Sequence, residues 1–290
     1  MSDDVYLKQR DRTRAPSFAV PPNACDCHAH IFGDPARFPF IAERNYTPTP
    51  ALEPQYLEML ATLGVTRAVI VQPSVYGLDN RCTLAAVAKI GLPRARAVAM
   101  FDATATDAEL RALDAAGVRG VRFITISRGG APLDQLQAVA DRIAPLGWHI
   151  QMYVTPETWR DLYPVIVKLP VPMVIDHMGQ VTPDRTSDDP GYSAILRLLD
   201  SGRAWIKLTA YRVSNAGPPY HDVKPVAQNY LRHAPERCVW GSDWPHPDLS
   251  GYMPDDGELM DLLVDWAPDA ELRKRVLVDN PAALYGFDTR

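Results

Sequence analysis

Residues 24–32 read ACDCHAHIF, two cysteines and two histidines within six positions. The stretch is apolar at both ends, and its side chains alternate as a β-strand requires, so His28 and His30 are expected on one face. Cys25 and Cys27 fall on the opposite parity and are expected to point away from the histidines. The residues just beyond this strand decide the fold. An open doubly wound sheet places a glycine-rich phosphate loop directly after its first strand, and HAHIFG contains none. A zinc knuckle would need a second ligand pair at matching spacing, and the chain has none.

Seven more apolar runs recur along the chain: AVIVQPS, ARAVAMFD, VRGVRFITI, WHIQMYV, PMVIDHMG, AWIKLTA and CVWGSDWP. Amphipathic stretches such as PQYLEMLATLG, TLAAVAKIG, DAELRALDAAG and LDQLQAVADRIAPLG lie between them and close on glycine, a common residue just past a helix. Eight strands alternating with helices predict a parallel sheet, and eight is the number that closes a (β/α)8 TIM barrel. The expectation is an α/β fold with one barrel domain over residues 23–290, preceded by a charged and proline-rich N-terminal arm over 1–22. A last helix is predicted at DNPAALYGF, with Asn280 as its cap and Pro281 in its first turn.

Composition narrows the function. The 290 residues are 47% hydrophobic and 22% charged, with 30 basic against 35 acidic side chains and a net charge of −5. That balance argues against nucleic acid or an anionic membrane surface as partner. No run reaches the length of a membrane span, the start lacks the apolar core of a signal peptide, and the four cysteines show no disulfide framework. A cytoplasmic enzyme is expected.

In barrels of this kind chemistry collects where strands run into their following loops. Those positions hold His28 and His30 after the first strand, Ser74 and Tyr76 after the second, and Arg122 and Arg128 at the fourth. Tyr153 ends the fifth, Asp176 and His177 the sixth, Arg212 follows the seventh, and Asp243 closes the eighth in GSDWPHP. Singly, each has a structural explanation. His149 and His233 read as core or cap histidines, Tyr153 as an amphipathic core residue, Asp243 as a helix cap and Arg128 as a loop residue. Their assembly at successive strand ends points to a site.

The motifs Asp26-Cys27-His28-Ala29-His30, VIDHMG, GSDWPHP and NPAALYGF resemble the amidohydrolase superfamily, from about Pro21 to Phe287. The resemblance is to the branch that contains lactonases of 2-pyrone-4,6-dicarboxylate, sulfomuconolactone and sugar acids. It implies a lactonase of aromatic compound catabolism that opens a small anionic lactone, with 2-pyrone-4,6-dicarboxylate or a close analogue as the leading substrate. Asp243 would activate water. His28, His30, His177 and Tyr153 would polarise the carbonyl, a protonated histidine standing in for a metal's charge. Arg122, Arg128 and Arg212 would bind carboxylate, with Tyr46, Ser74 and Tyr76 lining the site.

Metal-dependent members usually take a histidine from the fifth strand, which here ends in Tyr153. No metal is therefore favoured, the alternative being one divalent ion, zinc or manganese, on His28, His30, His177 and Asp243. Alternative readings are metal-dependent hydrolysis of another anionic lactone, metal-dependent decarboxylation of an aromatic acid and a non-catalytic anion-binding barrel. The pattern departs from the resembling lactonase at Tyr76, where that enzyme has a histidine, and at Asp248, where it has a neutral amide. Unless it points to solvent, Asp248 is expected to weaken the grip on a dicarboxylate.

Overall fold

The computed structural model describes residues 7–185 and 187–288. Eight parallel strands pair in sequence order: β1 (Cys25–Ala29), β2 (Arg67–Val71), β3 (Ala95–Ala99), β4 (Val118–Ile124), β5 (His149–Tyr153), β6 (Met173–Ile175), β7 (Ala204–Leu208) and β8 (Cys238–Trp240). The helices that follow them are α1 (Glu53–Leu63), α2 (Arg81–Ile90), α3 (Asp107–Ala115), α4 (Leu136–Ile143), α5 (Pro156–Ile166), α6 (Pro190–Asp200), α7 (Lys224–His233) and α8 (Asp256–Trp266). Each predicted apolar run contains one strand, and the architecture is the expected (β/α)8 barrel. No described helix is long and apolar enough to cross a membrane.

Strand parity sorts the core into two layers. Ala68 and Ile70 of β2, Ala95 and Ala97 of β3, Ile150 and Met152 of β5, and Ile206 and Leu208 of β7 pack outward with the helices. Val69, Val98, Val174 and Val239 come from four different strands yet form one cluster, which only the barrel interior allows. Closure between β8 and β1 rests on backbone and one side chain. The N–H of Asp243 donates to His28 O at 2.7 Å and that of His30 to Trp244 O at 2.7 Å. Asp26 accepts the amide and hydroxyl of Ser242 at 2.9 and 2.6 Å, and the Tyr56 hydroxyl from α1 at 2.9 Å. Burial pushes its pKa up to about 6, against those hydrogen bonds.

Two short helices follow α8: α9 (Ala270–Lys274) and α10 (Asn280–Tyr285), joined by one wide helical turn. Asn280 does not cap α10. It has helical dihedrals, and its side-chain amide donates to the carbonyls of Pro235 and Cys238 at 2.8 and 2.7 Å. The joined helical turn satisfies the backbone that a cap would otherwise serve. Tyr285 and Phe287 close the bottom of the barrel interior. Residues 1–6 of the predicted arm lie outside the described residues. From Leu7 onward it runs along the loop after β8 and onto α8, with Leu7 N–H on Leu249 O, Arg10 Nε on Met253 O, and Arg14 Nη2 on Asp261 at 2.6 Å.

Candidate active site

The first strand carries a β-bulge that simple alternation does not foresee. Cys25 pairs with Arg67 and Asp26 with Ala68, but pairing resumes at Ala29 with Ile70, one residue late. Before the bulge Cys25 and Cys27 face inward, against Val69, Val71 and Val239, and Asp26 faces outward to Tyr56. After it His28 and His30 take the inward side. The expectation that the cysteines point away from the histidines is therefore overturned. They lie in the apolar layer directly below, and no group of described residues placed to hold a metal includes a cysteine.

Above the cysteines lies a buried polar layer. Asp176, at the end of β6, meets Arg122 Nε at 3.1 Å, Gln151 Nε2 at 2.9 Å, His28 Nδ1 at 3.2 Å and Lys207 Nζ at 3.4 Å. Lys207 also donates to Gln151 Oε1 at 2.7 Å. Burial alone would raise the pKa of Asp176, but Lys207, His28 and Arg122 outweigh it and hold the carboxyl well below its usual range. For Lys207 burial prevails and lowers the pKa against the pull of Asp176. A lysine is almost never buried in full without such partners. Lys207 and Gln151 were absent from the sequence-derived candidates. The available signal was a lone lysine in the apolar run AWIKLTA, on the same parity as Trp205 and Thr209.

The third layer is the mouth. Asp243 sits at φ 62°, in the left-handed region that non-glycine residues rarely occupy, and His177 at φ 46°. Gly241 lets β8 approach closely, because a methyl group there would come within 2.7 Å of His28 Cβ. Arg212 Nε at 2.7 Å and the Tyr211 hydroxyl hold Asp243 Oδ2, while Oδ1 faces His30 Nε2 at 3.3 Å and His28 Nε2 at 3.6 Å. His177 Nε2 lies 3.9 Å from Asp243. Burial works to raise the pKa of Asp243, yet the Arg212 guanidinium keeps it well below the usual range. Burial and the charge of Lys207 push His28 well down, and burial brings His177 to about 3. These two rings are neutral near pH 7. Beside them Arg122 and Arg212 supply fixed positive charge.

His30, Tyr46, Ser74, Arg122, Tyr153, His177, Arg212 and Asp243 all line one narrow pocket, together with Ser127 and Asp248. The Arg122 guanidinium stacks over the Tyr153 ring at 5.5 Å. Three expected members do not line it. His28 is fully buried just beneath, against Asp176 and Asp243. Tyr76 is buried among Phe32 and Phe40, and its hydroxyl accepts the N–H of Gly33 at 3.0 Å. Arg128 is exposed on the loop after β4, where its backbone N–H donates to Asn45 Oδ1 at 2.7 Å.

The donor set admits a divalent ion at one of two places. His30 Nδ1 lies 2.7 Å from Val71 O and so carries its proton there, leaving Nε2 as a lone pair toward Asp243. Asp176 beside His28 Nδ1 favours the same tautomer for His28. His28 Nε2 and Asp243 Oδ1 are buried without a hydrogen-bond partner. Three acceptors thus converge, as in a carboxylate–histidine metal site. His177 is outside this group. It belongs to a second group with His28 and Asp176, where Lys207 and Arg122 already supply positive charge and a divalent ion does not fit.

Similarity to known proteins agrees with the barrel fold. A family model described as amidohydrolase matches residues 25–287. A 2-pyrone-4,6-dicarboxylate hydrolase of Comamonas testosteroni is 39% identical over 93% of this chain and 92% of its own length. A 4-sulfomuconolactone hydrolase of Rhizobium radiobacter is 39% identical over 96% and 94%. A crystal structure from Agrobacterium tumefaciens, without ligand, superposes with a TM-score of 0.85 at 34% identity, covering 94% of this chain and 99% of that one. From its first strand to its closing tyrosine and phenylalanine, this chain belongs to the amidohydrolase family.

Proposed function

We propose that the protein hydrolyses a carboxylated lactone, with Asp243 as general base. The observation that carries the reading is the asymmetry of Asp243. Arg212 and Tyr211 hold Oδ2, while Oδ1 faces two imidazole lone pairs and meets no donor. A water donating one proton to Oδ1 and the other to one of the two histidine nitrogens pairs two of these acceptors and leaves its own lone pair for the carbonyl carbon. Attack forms the C–O bond as Asp243 takes the proton. The ring C–O bond then breaks, and the proton passes to the departing oxygen. The depressed pKa of Asp243 keeps it ionised before attack.

The layer below acts as a scaffold. Asp176, held ionised by Lys207 and Arg122, fixes the His28 ring so that Nε2 faces the reaction centre. The Tyr153 hydroxyl and His177, both in the pocket lining, would donate to the carbonyl oxygen. Arg122 spends Nε on Asp176 and Nη1 on Gln72 O, which leaves Nη2 for a substrate carboxylate. A divalent ion held by His28, His30 and Asp243 would supply Lewis acidity and lower the pKa of its water.

The Comamonas and Rhizobium relatives both act on anionic lactones by their names, which supports the reaction class for this chain. The test follows loss of ultraviolet absorbance of 2-pyrone-4,6-dicarboxylate and of monocarboxylated lactones. Enzyme is used after chelator treatment and after reloading with Zn²⁺ or Mn²⁺. Opening of a carboxylated lactone by either form is expected, together with its loss in Asp243→Asn. If neither form opens any of them, the proposal fails. The chelated form separates the metal-independent reaction, favoured by the sequence, from the metal-dependent one.

A further inference from the structure

The arginines at the mouth are less available than their number suggests. Arg212 donates Nε to Asp243 Oδ2 at 2.7 Å, Nη1 to Asp248 Oδ1 at 3.0 Å and Nη2 to Pro247 O at 3.0 Å, so all three guanidinium nitrogens are engaged. Arg128 does not line the pocket, and Arg122 has only Nη2 uncommitted by its bonds to Asp176 and Gln72. Apart from its histidines and tyrosines, the charged lining is Arg122 and Arg212 against Asp243 and Asp248, a neutral set. Asp248 stands at the solvent-facing rim of the pocket. It is part of the lining and sits at φ 58°, its side chain 37% exposed and turned onto Arg212.

We propose that Asp248 makes this site selective for lactones that carry one carboxylate and hydroxyl groups, and selects against dicarboxylates. The inference rests on the hydrolase reading and narrows its substrate. One carboxylate pairs with Arg122. A second carboxylate on the opposite side of the ring would meet the Asp248 carboxylate, beside an Arg212 whose charge already faces Asp243 and Asp248. A hydroxyl at the same place donates to Asp248, whose Oδ2 is not engaged by Arg212. The reading fails if a dicarboxylate displaces Asp248 and takes over Arg212 instead.

Binding of ring-matched lactams, which do not open under these conditions, tests the point without turnover. By calorimetry the wild-type protein is expected to bind 6-hydroxymethyl-2-pyridone-4-carboxylate roughly tenfold or more tighter than 2-pyridone-4,6-dicarboxylate, the order of one like-charge contact near a protein surface. In Asp248→Asn that ratio is expected to fall by about the same factor, and Asp248→Ser checks that the change follows the charge. Equal or tighter binding of the dicarboxylate by wild type, an unchanged ratio in both variants, or no binding of either lactam overturns the proposal. Parallel turnover of the corresponding lactones keeps the two readings apart. The predicted binding preference without ring opening would sink the hydrolase reading and leave this one standing.

Discussion

Two histidines occupy opposite ends of the same barrel interior and share nearly every local property. His149, at the start of β5, and His177, just past β6, are each 1% exposed, and burial lowers both to a pKa of about 3. At the closed end His149 packs edge-on to Tyr285 at 5.5 Å, and a methyl group on Gly120 would collide with its ring. At the open end His177 lies 4.5 Å from the His28 ring, 4.8 Å from the Tyr153 ring and 3.9 Å from Asp243. Burial and a depressed pKa therefore do not mark a site. Convergence of unlike groups does, and so does strain. Of the non-glycine residues with positive φ, all but Asn23 follow strand C-termini, and Asp243, His246, Asp248 and His177 cluster after β8 and β6.

The contrast breaks most easily at Asp243. Asp243→Asn keeps the shape but removes the base, and kcat/KM is expected to fall by about 10²–10⁴-fold. At the other end, His149→Leu is expected to change it by no more than about threefold, or under ~1 kcal/mol. Steady-state assays on the best carboxylated lactone compare the two directly, and a comparable loss in both variants would erase the distinction between the ends.

The middle layer is where the two ends meet. Lys207→Met leaves Asp176 with one cation fewer in a dry interior, and urea unfolding is expected to reveal a loss of about 3–5 kcal/mol. Unchanged stability would mean that Lys207 is not the partner that keeps Asp176 charged. At the mouth itself, Arg122→Met should lower kcat/KM by about 10–150-fold, the worth of a charge-assisted hydrogen bond of ~1.5–3 kcal/mol. Arg128→Met should leave it within about twofold, the range of an exposed substitution. Equal effects of the two would return Arg128 to the substrate.

The smallest effect is spectroscopic. Because burial depresses both pKa values, the rings of His149 and His177 should stay neutral as pH falls through the ordinary histidine range, and protonate only near about 3. Imidazole nitrogen shifts of chelator-treated protein from pH 8 down to about 5 check this. A titration of His177 alone near about 6.5, the unperturbed histidine value, would mean that its end of the barrel is wet while the other is dry.

Much of this was legible in the chain. Short apolar runs rich in Val and Ile, separated by amphipathic stretches of helix length, identify all eight strands, because parallel strands are covered on both faces. Ordering those strands in a barrel brings His28, His30, Ser74, Arg122, Tyr153, His177, Arg212 and Asp243 to one mouth without knowledge of a single contact. Tyr46 joined them only through family resemblance, since nothing local distinguishes it from any other loop tyrosine. The two loop positions that fall outside the pocket lining share a cause. Tyr76 and Arg128 sit at the right strand ends, but whether a loop residue turns in, as Ser74 does, or away depends on partners distant in sequence.

The chain by itself therefore determines the strand count, the parallel order and the end of the barrel where chemistry gathers, because these depend on local periodicity. Tertiary structure decided the rest. A one-residue bulge in β1 turned Cys27 and His28 to the same interior, which alternation forbids. Packing placed Lys207 of β7 beside Asp176 of β6, so that a buried cation steadies the histidine layer. The loop after β8 brought Asp248 back onto Arg212, removing from the mouth a charge that the sequence offered to the substrate. Each of these outcomes depends on which groups share a dry space within about 4 Å, where unscreened charge dominates. Distance along the chain carries no record of that.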